Sequence, residues 1–188
     1  RQFTERFIDD FRLMPKFYSK QWNADTNEWR VSADKRPTPA RAYKYFDTRI
    51  RSVLLDRKTG LVTLQVEWRD PREAADWANE LVNRLNAEMR SRAIAKSEAS
   101  LGFLQKELAA TPVVDTRAAI NRLIETQVNQ RMIANVTMQY AFRVVDPALP
   151  ADRDDPVRPK KLLMLLAGVF VGMVFGLVLV IFVRRHPR

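Results

Sequence analysis

An apolar stripe at helical spacing opens the chain and consists of Phe3, Phe7, Phe11 and Met14. This spacing predicts one amphipathic helix that ends near Pro15. Such an aromatic stripe is more typical of core packing than of a ligand site. Residues 18–40 have no regular period and predict an irregular connection.

A β-hairpin is expected next along the chain. Residues 49–55 are largely β-branched and apolar, and residues 62–68 alternate between apolar and polar side chains. That alternation is the period of a half-buried strand. The turn between the two runs ends at Gly60, which can adopt the positive φ that such turns require. Residues 140–145 form a further candidate strand, which would join this hairpin.

A very long helix is predicted after the hairpin. Asp70 is a good N-cap residue, Pro71 suits the first helical position, and Glu73 completes a capping box. An apolar stripe then continues without a breaker until Pro112. Nearly forty helical residues would extend for about 60 Å. Residues 118–136 form a second, returning helix, so the fold class is α+β: a small base that carries a long helical hairpin.

Residues 162–183 are all apolar or glycine. A helix of this length spans about 33 Å, which matches the hydrocarbon core of a bilayer and predicts a transmembrane helix. Lysine or arginine flanks both ends, so charge alone leaves the orientation open. Within the span, Gly168, Gly172 and Gly176 recur every fourth residue. The stripe favours close packing against another helix, although glycine is also frequent in membrane helices generally.

Four regions follow from these patterns. Residues 1–145 form the α+β domain, whose N-terminal part we expect to be missing because the chain begins without an initiator methionine or a signal sequence. Residues 146–161 form a stiff connector with four spaced prolines, Pro147, Pro150, Pro156 and Pro159. The connector leads into the span at 162–183, so the base is expected near the membrane, and residues 184–188 form a short tail.

Composition narrows the function classes. The 188 residues include one histidine and no cysteine. The lack of cysteine excludes disulfides and thiol chemistry. No phosphate-binding glycine loop, nucleophile motif or metal-ligand spacing is present, so we expect no catalytic residues, no cofactor and no metal. The net charge of +10 would suit an anionic partner. Basic and acidic residues alternate along most of the chain, however, which favours a solvated surface over nucleic-acid binding.

Several stretches together resemble a known family. They are D-R-K-T-G-L-V at 56–62, D-P-R-E-A-A-D-W-A-N-E-L-V at 70–82, L-I-E-T-Q at 123–127 and A-N-V-T-M-Q-Y-A-F-R-V-V-D-P-A at 134–148. With the proline connector and the glycine-striped span, they resemble the Wzz-type polysaccharide co-polymerases, or chain-length determinant proteins. The resemblance covers roughly residues 48–183.

The resemblance implies a bacterial inner-membrane protein with two spans, a periplasmic domain and cytoplasmic ends. It implies a homo-oligomeric scaffold that controls the processivity of the polymerase and so sets the chain length of a surface polysaccharide such as the lipopolysaccharide O-antigen. The partners would be sister subunits, the O-antigen polymerase and membrane lipid, with the growing polysaccharide as a further candidate. Pro147, Pro156 and Pro159 and the three span glycines would be packing positions. If the chain is complete at its C-terminal end, the lack of a kinase domain after the span would place it in the O-antigen branch.

A second hypothesis remains open at this point. A membrane-anchored adaptor or tether of an export machine would also have a long helical rod and a C-terminal span. The two hypotheses differ upstream, since a co-polymerase requires an earlier span with both termini in the cytoplasm.

Overall fold

The computed structural model describes residues 1–152, 165–166, 168–173 and 176. The chain forms two compact units, Arg1–Pro150 and Ala151–Arg188. The regular elements below all belong to the first unit. Most of the predicted span at 162–183, most of the connector and the tail at 184–188 lie outside the described residues. Within the described residues, no helix is both long and apolar enough to cross a membrane.

Two short helices replace the single N-terminal helix that the sequence predicts. Helix α1 covers Gln2–Asp10 and helix α2 covers Leu13–Phe17, so the predicted end near Pro15 is wrong. Arg12, with φ of 49°, occupies the left-handed region between them. Pro15 is tolerated inside α2 because it lies in the first turn, where backbone N–H groups have no helical partner.

The stretch predicted as an irregular connection contains small regular elements. Strands β1 (Trp22–Asn23) and β2 (Glu28–Trp29) pair antiparallel, and the two tryptophan rings meet edge to face with centroids 5.1 Å apart. Single-turn 3-10 helices occupy Ser19–Gln21 and Ala33–Lys35. Helix α3 (Pro39–Tyr45) then begins, capped by the Thr38 hydroxyl, and continues into a π-helical turn at Phe46–Ile50.

The predicted β-hairpin is confirmed. Strands β3 (Arg51–Leu55) and β4 (Val62–Val66) pair antiparallel with Val53 opposite Leu64. Gly60 has φ of 74°, as the turn requires. Asp56 organises the turn, because its carboxylate accepts bonds from the Lys58 N–H and the Thr59 hydroxyl, both at 2.8 Å. These bonds hold the pKa of Asp56 below its usual value.

The long helix is also confirmed: α4 covers Pro71–Ala110, which is 40 residues or about 60 Å. Asp70 caps its N-terminus by accepting from the N–H groups of Arg72 and Glu73 at 2.8 and 3.4 Å. The capping box is wrong in one respect. The Glu73 carboxylate binds the Trp68 indole N–H, at 2.9 Å, and the Lys16 ammonium, and thereby ties α2 and the end of the hairpin to α4.

Helix α5 covers Val114–Val136 and packs along α4 after the break at Thr111–Val113, as the sequence predicts. Gly102 lies inside α4 without interrupting it. The seam between the two helices includes the buried residues Ser97 and Leu101 on α4 and Ile120 and Ala134 on α5. The described residues therefore have the expected α+β character, with small sheets and a long helical hairpin.

One compact core holds the base of the first unit together. Its buried members come from α1, α2, α3, the π turn and the first three turns of α4: Phe7, Ile8, Leu13, Ala42, Phe46, Ile50, Trp77 and Leu81. Leu64, Val66 and Trp68 of the hairpin region pack against this cluster from one side. The core therefore anchors the N-terminal third of α4, and the rest of α4 contacts α5.

The predicted strand at 140–145 is wrong. Neither two-stranded sheet includes these residues, and residues 137–150 contain no strand. The sequence pattern is that of a strand, but the backbone groups of Ala141 and Phe142 bond to the side chain of Asn86 on α4 instead of to a neighbouring strand.

Candidate functional site: the return segment and the glycine-bearing stretch

Residues 137–150, here called the return segment, lead from the end of α5 back along α4. Three contacts order it against that helix. Arg90 donates to the sulfur of Met138 at 3.3 Å, Asn86 binds Ala141 and Phe142, and Asn79 binds Ala148. Because the α4 residue numbers fall as those of the segment rise, the segment runs antiparallel to α4.

The Asn86 contact is the most completely bonded of the three. Its Oδ1 accepts from the N–H groups of Ala141 at 2.9 Å and Phe142 at 2.8 Å, and its Nδ2 donates to the Phe142 carbonyl at 2.9 Å. Asn86 is only 3% exposed. A primary amide offers the same donor and acceptor as a peptide group, so this side chain acts in place of a neighbouring strand.

Asn79 repeats the arrangement one step further down the helix. Its Nδ2 donates to the Ala148 carbonyl and its Oδ1 accepts from the Ala148 N–H, both at 2.9 Å. Residues seven apart lie on nearly the same face of a helix, because two turns take 7.2 residues. Asn79 and Asn86 therefore present two peptide-like groups in line along α4.

Sequence reasoning missed this pair of asparagines. A signal was available, since Asn79 and Asn86 are seven residues apart and so share one face of the predicted helix. Asparagine is neutral to unfavourable inside helices, and a buried one needs partners for its amide. The partners lie 55 to 69 residues away in sequence, however, so no local rule identifies them.

Pro147, a predicted packing position, lies in the return segment directly before Ala148 and is exposed. Because proline has no backbone N–H, Pro147 adds no unpaired donor beside the Asn79 contact. Pro156 and Pro159 lie outside the described residues.

The three glycines of the predicted span lie among the residues that the structure describes, and they are helical. Gly168, Gly172 and Gly176 are exposed, and no described atom beyond their local surroundings lies within 4 Å of the position a Cβ would take. The described apolar neighbours are exposed as well, for example Phe170 at 69% and Leu165 at 64%. The glycines thus form an open stripe on an apolar helical stretch, and their role in packing against another helix stays a prediction.

Several charged side chains on α1 and α4 form ion pairs. Arg84 bonds to Glu80 at 2.8 Å and also to Asp10, while Glu88 accepts from Arg92 at 2.7 Å and from Arg6 at 3.4 Å. The bond from Arg92, with the charge of Arg6, lowers the pKa of Glu88. The bond to Glu80 raises the pKa of Arg84.

The solvated-surface interpretation of the basic composition stays a prediction. Within the part of the chain that the structure describes, no group of three or more histidine, cysteine or carboxylate side chains could hold a metal.

The comparison with known families falls on this region. Residues 114–186 match the family model described as the G-rich domain on putative tyrosine kinase. The match covers less than half of the chain: helix α5, the return segment, the connector and the glycine-bearing stretch. It supports the broad group of polysaccharide co-polymerases and related tyrosine-kinase-type proteins, without selecting the Wzz-type branch. No curated protein matches the chain.

Proposed function

We propose that this chain regulates the length of a surface polysaccharide, specifically the lipopolysaccharide O-antigen, as a non-enzymatic oligomeric scaffold. In this role it would control how many repeats the membrane polymerase adds before release. We place it in the bacterial inner membrane, with the bulk of the chain periplasmic and the C-terminus cytoplasmic. Sister subunits, the polymerase and membrane lipid would be its partners.

The observation that carries the proposal is the family match at 114–186, which includes three of the five glycines of the chain. The architecture supports it in a second way. A helix of about 60 Å is far longer than a base of this size needs for its own core, and such a rod is suited to contacts beyond the subunit. Exposed apolar side chains along α5 fit the same role; they include Leu123, Met132 and Ile133.

The first test is the banding pattern of lipopolysaccharide on a gel, from cells that lack the gene and from cells with the full-length gene restored. We expect a clustered length distribution to collapse to a short, random ladder without the gene and to return on complementation. An unchanged ladder would contradict chain-length control.

A matched pair of variants then tests the glycine stripe. Gly172→Leu would place a large side chain where helices are expected to approach closely, and we expect it to disturb the length distribution. Gly102→Leu is the control, because Gly102 is also helical and also has open space around its Cβ position. Equal effects of the two variants would mean that the stripe has no special role.

A second candidate is a membrane-anchored adaptor of an export machine. The exposed apolar residues of α5 favour this candidate, because they fit a docked partner as well as a sister subunit. Cross-linking from Met132, which is 55% exposed, distinguishes the two. A co-polymerase gives adducts with other copies of this chain, whereas an adaptor gives adducts with export proteins and leaves the polysaccharide ladder unchanged.

A further inference from the structure

The attachment of the return segment to α4 depends on polar contacts rather than on apolar burial. Most of its large apolar side chains stay in solvent: Met138, Val145 and Leu149 are 77–78% exposed and Phe142 is 41% exposed, whereas Tyr140 and Val144 are partly buried. The anchoring bonds come from Asn86 and Asn79, at 2.8–2.9 Å. Burial of apolar area is the main source of stability in folded chains, so the attachment of this segment to α4 has little stability of its own.

Release of the segment would leave no polar group stranded. Asn86 is buried under the segment. When the segment leaves α4, the side-chain amide of Asn86 and the backbone groups of Ala141 and Phe142 become exposed to water. Water then replaces each lost bond on both sides, which is why the net free energy of a protein hydrogen bond is much smaller than its gross strength. Segments with few apolar contacts open locally, without unfolding of the whole domain.

We infer that Asn86 and Asn79 form a two-point latch, and that the return segment is a strap that can leave α4 while the rest of the first unit stays folded. The latched state fixes Ala148 beside the third turn of α4. In the released state, the twelve residues from Thr137 to Ala148 become a tether of up to about 40 Å from the end of α5. The latch therefore sets whether Ala148 is held beside α4.

The inference does not depend on the polysaccharide role, because the latch is defined by contacts within the chain. It is tested by amide hydrogen exchange on the full chain in detergent, across a range of low urea concentrations. The amides of Ala141, Phe142 and Ala148 should exchange at least about tenfold faster than those around Leu81. Their rates should also change little with urea, because a local opening exposes little surface.

Variants identify the two points of the latch. Asn86→Ala should speed exchange at Ala141 and Phe142 by about tenfold or more, while amides around Leu81 change by less than about twofold. Asn83→Ala is the matched control, because Asn83 is an exposed asparagine on the same helix. If Asn86→Ala fails to fold, Asn79→Ala decides the matter through exchange at Ala148, the second point.

Two results would overturn the inference. One is exchange of the strap amides in the unaltered chain with the same rate and urea dependence as the amides around Leu81, which would mean that the strap opens only with the domain. The other is equal acceleration of all protected amides by Asn86→Ala or by Asn79→Ala. In that case the asparagines would stabilise the whole fold and would not act as a latch.

Discussion

Arg84 on α4 lies over the ring of Phe11, at the end of α1, with its guanidinium carbon 4.8 Å from the ring centroid. The same guanidinium lies 5.6 Å from the Phe7 ring and bonds to Glu80 and Asp10. A cation over an aromatic face is attracted by the ring quadrupole, and arginine can bond in its plane at the same time. One side chain thus connects α1 to the long helix.

Replacement of Arg84 by alanine should lower the free energy of unfolding by about 1–3 kcal/mol, because it removes the ring contacts and leaves Asp10 without this partner. Arg92→Ala is the control, since Arg92 is 66% exposed and pairs with Glu88 at the surface, where solvent screens the attraction, so its loss should be much smaller. Urea unfolding of the full chain in detergent measures both. Equal losses would contradict the role of Arg84 as the connection between the helices.

The two glycines outside the span should respond to alanine in opposite directions. Gly60 has φ of 74°, where a Cβ is strained, so Gly60→Ala should cost about 1–2 kcal/mol. Gly102 is helical with open space around its Cβ position, so Gly102→Ala should stabilise by up to about 1 kcal/mol. Thermal unfolding of the two variants in parallel checks the signs. A stabilising Gly60→Ala would mean that the turn can relax to another form.

Helix α5 should gain stability from a cap that it lacks. Val113 precedes the helix with extended φ and ψ and provides no side-chain cap, in contrast to Asp70 before α4. Serine at position 113 can accept a bond from the first turn, so Val113→Ser should stabilise the domain by about 0.5–1 kcal/mol. Val114→Ser, at the exposed neighbouring position, is the control and should give no gain. Asp70→Ala should cost about 1 kcal/mol by the same reasoning.

Glu88 should contribute to the loss of stability in acid. Its pKa is lowered in the folded chain, first by the bond from Arg92, whereas the ordinary value in an unfolded chain is about 4.3. The folded state therefore binds this proton less readily than the unfolded state. The contribution is fully present above about pH 4.3 and is lost as the pH falls through the lower folded pKa.

The check is the melting temperature at pH 6 and pH 3 for Glu88→Gln and for Glu107→Gln, a carboxylate near the other end of α4. The difference between the two pH values should shrink in Glu88→Gln and persist in Glu107→Gln. High salt should weaken the Glu88 effect, because exposed charges are screened. An unchanged pH dependence in Glu88→Gln would contradict the prediction.

The sequence correctly predicts the elements that local chemistry specifies. The alternation before Trp68 and the glycine at position 60 define the β3–β4 hairpin. Asp70 and Pro71 define where α4 begins, and Pro112 separates α4 from α5. Each of these signals acts over a few residues, since caps, turns and strand alternation depend on neighbours along the chain.

The tertiary structure decided two of the features that sequence reasoning got wrong. The first helix breaks at Arg12 so that Phe7 on α1 and Leu13 on α2 can both enter the core, with exposures of 1% and 0%. The run at 140–145 has the pattern of a strand, but Asn86, more than fifty residues away, bonds the backbone groups of Ala141 and Phe142. A period along the sequence shows which residues prefer an extended backbone. Only the folded chain shows which donor and acceptor groups lie within hydrogen-bonding distance of that backbone, because backbone groups bond to whichever partner the packing brings within reach.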